Sequence, residues 1–91
     1  MRDIVFKGSS FEDFTNWKFD DQKIFDRIVD LIEETRRTPF IGKGHPEPLK
    51  NNLKGFWSRR ISSEHRLVYM VTSEKVIIIS CKYHYLKLTE T

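Results

Sequence analysis

The chain has 91 residues, of which 38% are apolar and 13% aromatic, and this composition predicts one folded domain rather than a disordered segment. No apolar run approaches the roughly 20 residues of a membrane span, the N-terminus lacks signal-peptide features, and the single cysteine excludes an internal disulfide, so we expect a cytoplasmic protein. Residues 1–34 hold nine acids and five bases, whereas residues 35–91 hold four acids and eleven bases. The basic second part predicts either a polyanionic partner, nucleic acid above all, or a plain solvated basic surface.

The N-terminal part predicts one strand followed by two helices. A β-rich run over residues 3–7 ends at Gly8. Ser9 and Ser10 then offer an N-cap to a helix of about three turns, which carries aromatic residues at helical spacing. A longer amphipathic helix starts after Asp20-Asp21 and ends at Thr38-Pro39, because the residue before a proline avoids the helical region.

A loop follows from Pro39 to Asn52. It holds all three prolines and two of the four glycines, together with several ionisable side chains. Glu47 lies between Pro46 and Pro48, which restrict the backbone on both sides. Loops of this composition between ordered elements are common places for functional residues.

From Phe56 onward the pattern predicts three antiparallel strands, over residues 56–62, 66–72 and 75–82. A three-residue turn at residues 63–65 would pair Ser62 with Arg66. One face of this ribbon would then be apolar and contact the helices, and the other would be basic and polar. The apolar face would contain Trp57, Ile61, Leu67, Tyr69 and Val71, and the other face Ser58, Arg60 and Arg66.

Metal-independent RNA cleavage requires a base for the 2′-hydroxyl, a cation for the phosphorane-like transition state and an acid for the 5′-oxygen. Glu47, Arg66 and His84 are of the right types. Each also has a structural alternative: an exposed loop acid, a surface ion pair and an ordinary surface histidine. A zinc site of Cys81, His84, His45 and His65 is poorly supported, because a lone Cys-x2-His lacks a second paired motif.

Five segments in order and spacing resemble the YoeB (Txe) toxins of the RelE superfamily, over nearly the whole chain from Val5 to Tyr85. They are Thr-Arg-Arg-Thr-Pro-Phe (35–40), Gly-Lys-Gly-His-Pro-Glu-Pro-Leu (42–49), Gly-Phe-Trp-Ser-Arg-Arg-Ile (55–61), Glu-His-Arg-Leu-Val-Tyr (64–69) and Cys-Lys-Tyr-His-Tyr (81–85). The resemblance implies a RelE-like α/β (α+β) fold: an N-terminal strand, two helices and a three-stranded antiparallel meander, forming one twisted sheet packed on the helices. It also implies cleavage of mRNA on the translating ribosome, without a cofactor or metal.

The resemblance further implies roles for single residues. Glu47 resembles the family's general base, Arg66 its transition-state stabiliser, His84 its general acid, and Tyr85 the tyrosine that helps to hold the scissile phosphate. Lys50 and Arg60 match basic positions of the family that contact the RNA backbone. Arg59, next to Arg60, is also predicted to bind RNA.

The implied partners are ribosome-bound mRNA with neighbouring ribosomal RNA, a YefM-like antitoxin whose C-terminal segment wraps the toxin, and a second copy in a homodimer. Residues 1–91 are expected to form one domain, with residues 86–91 as a tail beyond the point where family chains usually stop. The alternatives are a non-catalytic nucleic-acid-binding module on the same basic face, or an antitoxin-binding co-repressor. His45 and His65 receive no role at this stage.

Overall fold

A computed structural model describes residues 1–83 as two helices and five strands. The elements in chain order are β1 (Asp3–Phe6), α1 (Ser10–Asp20), α2 (Gln22–Arg37), β2 (Glu47–Pro48), a short 3₁₀ turn (Asn51–Leu53), β3 (Trp57–Arg60), β4 (Arg66–Val71) and β5 (Lys75–Ser80). The predicted order of a strand, two helices and a meander is confirmed. Strand β2 is not predicted from the sequence, because Glu47 and Pro48 fall in the segment predicted as a loop. Within residues 1–83 neither helix has the length and apolar character required to cross a membrane.

The helix ends follow local sequence signals. The Asp21 carboxylate accepts hydrogen bonds from the backbone N–H groups of Lys23 and Ile24, at 3.1 and 3.3 Å, so it caps α2 as predicted. At the start of α1 the Ser9 side chain makes no capping bond. The Ser10 hydroxyl instead lies 2.7 Å from the Lys7 carbonyl oxygen, which ties the first turn of α1 to the end of β1.

The five strands form one sheet in the order β1-β5-β4-β3-β2. β1 is parallel to β5, and every other neighbouring pair is antiparallel. Both helices cover one face, where the buried side chains form a continuous apolar core: Trp17, Ile28, Leu31, Ile32, Ile61, Leu67, Tyr69, Val76, Ile78 and Cys81. The opposite face of β2, β3 and β4 is not covered by either helix, and the candidate site lies there.

The predicted three-residue turn between β3 and β4 is wrong. Arg60 pairs with Arg66, so the turn contains five residues, 61–65. The Ser62 hydroxyl accepts a hydrogen bond from the His65 N–H at 3.1 Å, and the His65 carbonyl accepts one from the Ile61 N–H at 3.0 Å. These bonds stabilise the longer turn. Because side chains alternate with a period of two, a register difference of two residues leaves every side chain on its predicted face.

A bulge in β5 changes the alternation near its end. Val68 pairs with Ser80 and Tyr69 with Ile78, so Ile79 has no partner of its own. The extra residue returns Cys81 to the helix-covered face, where its side chain is fully buried and its Sγ lies 3.6 Å from the Ser10 carbonyl oxygen. Burial raises the pKa of the Cys81 thiol to about 12, which makes it an unreactive core residue.

Candidate active site

A cleft of about 380 Å³ lies on the uncovered face of the sheet, lined by Gly44, His45, Glu47, Ser58, Arg60 and Arg66. Strand pairing explains the convergence. Glu47 on β2 is directly opposite Ser58 on β3, and Arg60 is directly opposite Arg66 on β4. Ser58 and Arg60 are two residues apart on one strand, so all four side chains emerge on the same face. Three of the residues predicted to form the site therefore line a single cleft.

Glu47 is held by its backbone rather than by its side chain. β2 is the edge strand, and Glu47 is exposed there between two prolines. Proline tolerates an edge strand because it has no N–H to donate to a neighbour on the open side. No ion pair within 4.0 Å joins Glu47 to another of residues 1–83. The carboxylate is thus available to a group bound in the cleft.

The Arg66 guanidinium is partly engaged by the β3–β4 turn. Its Nη1 donates to the carbonyl oxygens of Ser62 and His65, at 2.6 and 3.0 Å. Its Nε and Nη2 donate to no acceptor among the residues described. The side chain is half-buried and lies on the opposite face from Leu67, as predicted. One nitrogen fixes the guanidinium, and the others remain to bind an anion in the cleft.

The two other exposed basic residues of the predicted site differ in position. The Arg60 side chain is exposed and lines the cleft. Its backbone N–H donates to the Gly44 carbonyl at 2.7 Å, which joins the preceding loop to β3. Lys50 is also exposed, but it follows β2 at the start of the 3₁₀ turn and does not line the cleft.

The prediction that Arg59 binds RNA is wrong, because its side chain is fully buried on the helix-covered face. All five of its N–H groups have acceptors within the protein. Nη1 donates to the Lys43 carbonyl at 2.9 Å and to the Glu34 carboxylate at 3.3 Å, and Nη2 to the carbonyls of Thr38 and Ile41. Nε donates to the hydroxyl of Tyr69 at 3.2 Å. Arg59 therefore organises the loop before the cleft instead of contacting a ligand.

The same loop is held by two further groups. The Glu34 carboxylate accepts the Lys43 backbone N–H, and this hydrogen bond, aided by the Arg59 charge, holds the pKa of Glu34 below its usual value. The Tyr69 hydroxyl donates to the Pro39 carbonyl at 2.7 Å, and burial raises its pKa. Gly44 closes the loop at φ +81°, and a Cβ there would lie 3.1 Å from the Arg60 carbonyl oxygen.

His45 lines the cleft although the sequence predicts no role for it. It is exposed, lines the cleft and has φ +50°, an uncommon value for a residue other than glycine. The signal available in the sequence is its position two residues before Glu47 in the same proline-rich loop. Cys81, a ligand in the zinc alternative, lies on the opposite face of the sheet from His45.

His84 and Tyr85 lie outside the described residues. The last described residue, Tyr83, is hydrogen-bonded beside the site. Its carbonyl accepts the backbone N–H of Arg66 at 3.0 Å. Tyr83, the residue that precedes His84 in the sequence, therefore lies directly beside Arg66.

Solved structures with this fold define the class of protein. A YoeB dimer from Staphylococcus aureus is 44% identical with a TM-score of 0.84, covering 92% of this chain and 98% of that one. A chain of a YoeB-YefM complex from Staphylococcus aureus is 42% identical, also with a TM-score of 0.84, covering 93% of this chain and 99% of that one. The fold is therefore that of the YoeB and RelE type of toxin.

Sequence comparison identifies the family within this class. Residues 6–85 match the model of the YoeB-like toxins of bacterial type II toxin–antitoxin systems. Toxin YoeB of Escherichia coli K12 is 54% identical over 82 residues, which are 90% of this chain and 98% of that protein. The chain belongs to the YoeB-like toxins of type II toxin–antitoxin systems.

Proposed function

We propose that this toxin is an endoribonuclease that cleaves mRNA on the translating ribosome, without a metal ion, and so inhibits translation. The observation that carries the proposal is the convergence of Glu47, Arg60 and Arg66 on one open cleft. A carboxylate and two arginines on one rigid sheet face suit a phosphodiester, because the cations bind its oxygens and the carboxylate accepts a proton.

The reaction is a transesterification in which the RNA supplies its own nucleophile. Glu47 takes the proton of the ribose 2′-hydroxyl as that oxygen forms a bond to the adjacent phosphorus. The bond from phosphorus to the 5′-oxygen breaks, and His84 donates a proton to the departing oxygen. The products are a 2′,3′-cyclic phosphate and a 5′-hydroxyl, and no oxidant or reductant is needed.

The remaining residues stabilise charge and hold the substrate. Arg66 neutralises the negative charge that develops on the non-bridging oxygens, through the nitrogens that the turn leaves unoccupied. Arg60 and Lys50 bind neighbouring phosphates of the mRNA backbone as exposed cations. Tyr85 holds the scissile phosphate.

We infer the protein partners of this chain from two related solved structures. The neighbouring structures of a YoeB-YefM complex and of a YoeB dimer support a YefM-like antitoxin and a second toxin copy as partners of this chain. The basic residues after position 34 suit contacts with ribosomal RNA. Ribosome-bound mRNA places the activity in the cytoplasm, and residues 1–91 act as a single toxin domain, with 86–91 as its tail.

The decisive test uses a substrate that lacks the nucleophile. Ribosomes programmed with a defined mRNA are incubated with the purified toxin, and the cleavage position is mapped. The same mRNA is then prepared with a single 2′-deoxynucleotide on the 5′ side of that bond. We expect the ribose mRNA to be cut to a 2′,3′-cyclic phosphate and the substituted mRNA to stay intact at that position.

Two results would contradict the proposal. Cleavage of the deoxy-substituted bond at an undiminished rate would exclude attack by the 2′-hydroxyl. Binding that weakens steeply with salt, without any cleaved product from the ribose mRNA, would instead identify a non-catalytic nucleic-acid-binding module.

A further inference from the structure

The backbone of Tyr83 is held on both sides by the last residue of the β3–β4 turn, His65, and the first residue of β4, Arg66. The Tyr83 N–H donates to Nδ1 of His65 at 2.8 Å, and the Tyr83 carbonyl accepts the backbone N–H of Arg66 at 3.0 Å. His65 lies on the helix-covered face and Arg66 in the cleft. The two bonds therefore join the chain after β5 to the point where the apolar face and the cleft meet.

Tyr83 adopts a backbone conformation that is unfavourable for a residue with a side chain. Its φ is +63°, in the left-handed region, where a residue with a Cβ is disfavoured by roughly 1–2 kcal/mol. Such conformations persist where the surroundings over-determine them, and they concentrate near functional sites. Residue 83 is neither glycine nor asparagine, and its two backbone hydrogen bonds oppose the intrinsic cost of this conformation.

The His65 ring is itself rigidly placed. Only 7% of the residue is exposed, and its ring packs edge-on against Trp17 of α1 with ring centroids 4.8 Å apart. The Trp17 indole N–H donates to the Cys81 carbonyl at 3.0 Å, so α1 also fixes the chain two residues before Tyr83. The imidazole is thus a buried, oriented acceptor in the turn between β3 and β4.

The protonation state of His65 decides whether the bond exists. Nδ1 accepts the Tyr83 N–H, so the proton of the neutral ring is on Nε2. Burial holds the pKa of His65 below its usual value, the nearby charges of Lys82 and Arg66 lower it further, and the Glu64 carboxylate, 3.7 Å from Nε2, opposes them. The neutral ring, which can accept the bond, is therefore favoured near neutral pH.

We propose that His65 is a positioning residue for RNA cleavage: its imidazole holds the backbone of Tyr83, the residue directly before His84, beside Arg66 of the cleft. The inference rests on the proposed endoribonuclease function. His65 itself touches no substrate. It acts through Tyr83, and its loss would lower the rate of the chemical step more than it weakens mRNA binding, because misplacing a reacting group by about 1 Å costs roughly 100-fold in rate.

Two variants separate the hydrogen bond from the packing. His65→Asn places an oxygen on Cγ, where His65 carries Nδ1, so it retains an acceptor for Tyr83 although it loses the ring. His65→Phe retains an aromatic ring beside Trp17 but has no acceptor. Amide hydrogen exchange of Tyr83, followed by NMR on the full chain, reports the bond directly, and single-turnover cleavage on the ribosome reports the rate and the apparent KM.

We expect protection of the Tyr83 amide in the parent and in His65→Asn, and its loss in His65→Phe. The cleavage rate should fall about 10- to 100-fold in His65→Phe with KM nearly unchanged, and His65→Asn should recover most of the rate. In the parent, protection should be lost as the pH falls below 6.5 through the lowered pKa of His65, because the protonated ring has no lone pair to accept the Tyr83 N–H.

The outcomes separate this inference from the proposed function. Full Tyr83 protection in His65→Phe would overturn the role of His65, whether or not the toxin cleaves RNA. Loss of protection with an undiminished cleavage rate would overturn the positioning role and leave the endoribonuclease intact. An inactive parent protein with a protected Tyr83 amide would contradict the proposed function, and would overturn the catalytic purpose assigned to this hydrogen bond with it.

Discussion

Arg59 and Arg60 are adjacent in β3, yet Arg59 belongs to the helix-covered face of the sheet and Arg60 to the cleft on the other face. Arg59 is fully buried against the helices, with every N–H paired inside the protein, whereas Arg60 is exposed in the cleft. Because neighbouring strand residues face opposite ways, one side chain stabilises the loop before Glu47, and the other is free for a ligand. The same residue type thus serves structure on one face and binding on the other, and strand position decides which.

The largest expected difference between the two arginines is in stability. In Arg59→Met, the carbonyls of Thr38, Ile41 and Lys43 lose their donor inside the protein. We expect the free energy of unfolding in urea to fall by about 3–5 kcal/mol. The matched variant Arg60→Met should change it by less than about 0.5 kcal/mol, because an exposed side chain leaves no buried group unpaired. Equal losses in the two variants would contradict the division between the faces.

The next effect is on RNA affinity, which should depend on the exposed Arg60 and not on the buried Arg59. Arg60→Gln should weaken binding of a short single-stranded RNA about fivefold, the equivalent of about 1 kcal/mol for an exposed charge contact. In a plot of the logarithm of the binding constant against the logarithm of salt concentration, the magnitude of the slope should decrease by about 0.7, because one phosphate contact is lost. The measurement is a titration at several salt concentrations, with the exposed Arg37→Gln as control at the far end of α2. An unchanged slope in Arg60→Gln would remove Arg60 from the RNA-binding surface.

The smallest effect concerns the acid limb of stability. The Lys43 N–H holds the pKa of Glu34 below its usual value of 4.5. The stabilising contribution is therefore fully present above pH 4.5 and is lost as the pH falls through the lowered pKa, where the folded carboxylate takes up its proton. Thermal unfolding between pH 3 and 7 should show a shallower acid dependence in Glu34→Gln than in the parent. Parallel pH profiles would show that the loop network does not involve the Glu34 charge.

The sequence predicts the faces of the sheet better than its connections. Alternation in the segments around Trp57 and Leu67 predicts that Arg66 lies opposite the apolar face. This placement is correct although the turn is two residues longer than predicted. Turn length depends on side-chain bonds such as the one that the His65 N–H donates to the Ser62 hydroxyl oxygen, and strand alternation carries no information about them.

The missed strand β2 and the wrong role of Arg59 also have physical reasons. β2 consists only of Glu47 and Pro48, so it is too short to show a periodic pattern. Arg59 follows Trp57 by two residues, so strand alternation predicts that it lies on the apolar face. The predicted RNA contact rests instead on its charge. Burial of an arginine requires a set of carbonyl acceptors, and only the folded loop provides them.

The most direct test of the central claim compares cleavage by Arg66→Ala and Arg37→Ala in a translating extract. Arg66 lines the cleft, whereas Arg37 is exposed at the end of α2, and His84→Gln serves as a second site variant. We expect Arg66→Ala and His84→Gln to lose at least about 100-fold in cleavage rate while remaining folded and still binding a YefM-like antitoxin, with Arg37→Ala close to the parent. Normal cleavage by both Arg66→Ala and His84→Gln would contradict the assignment of the cleft as the active site.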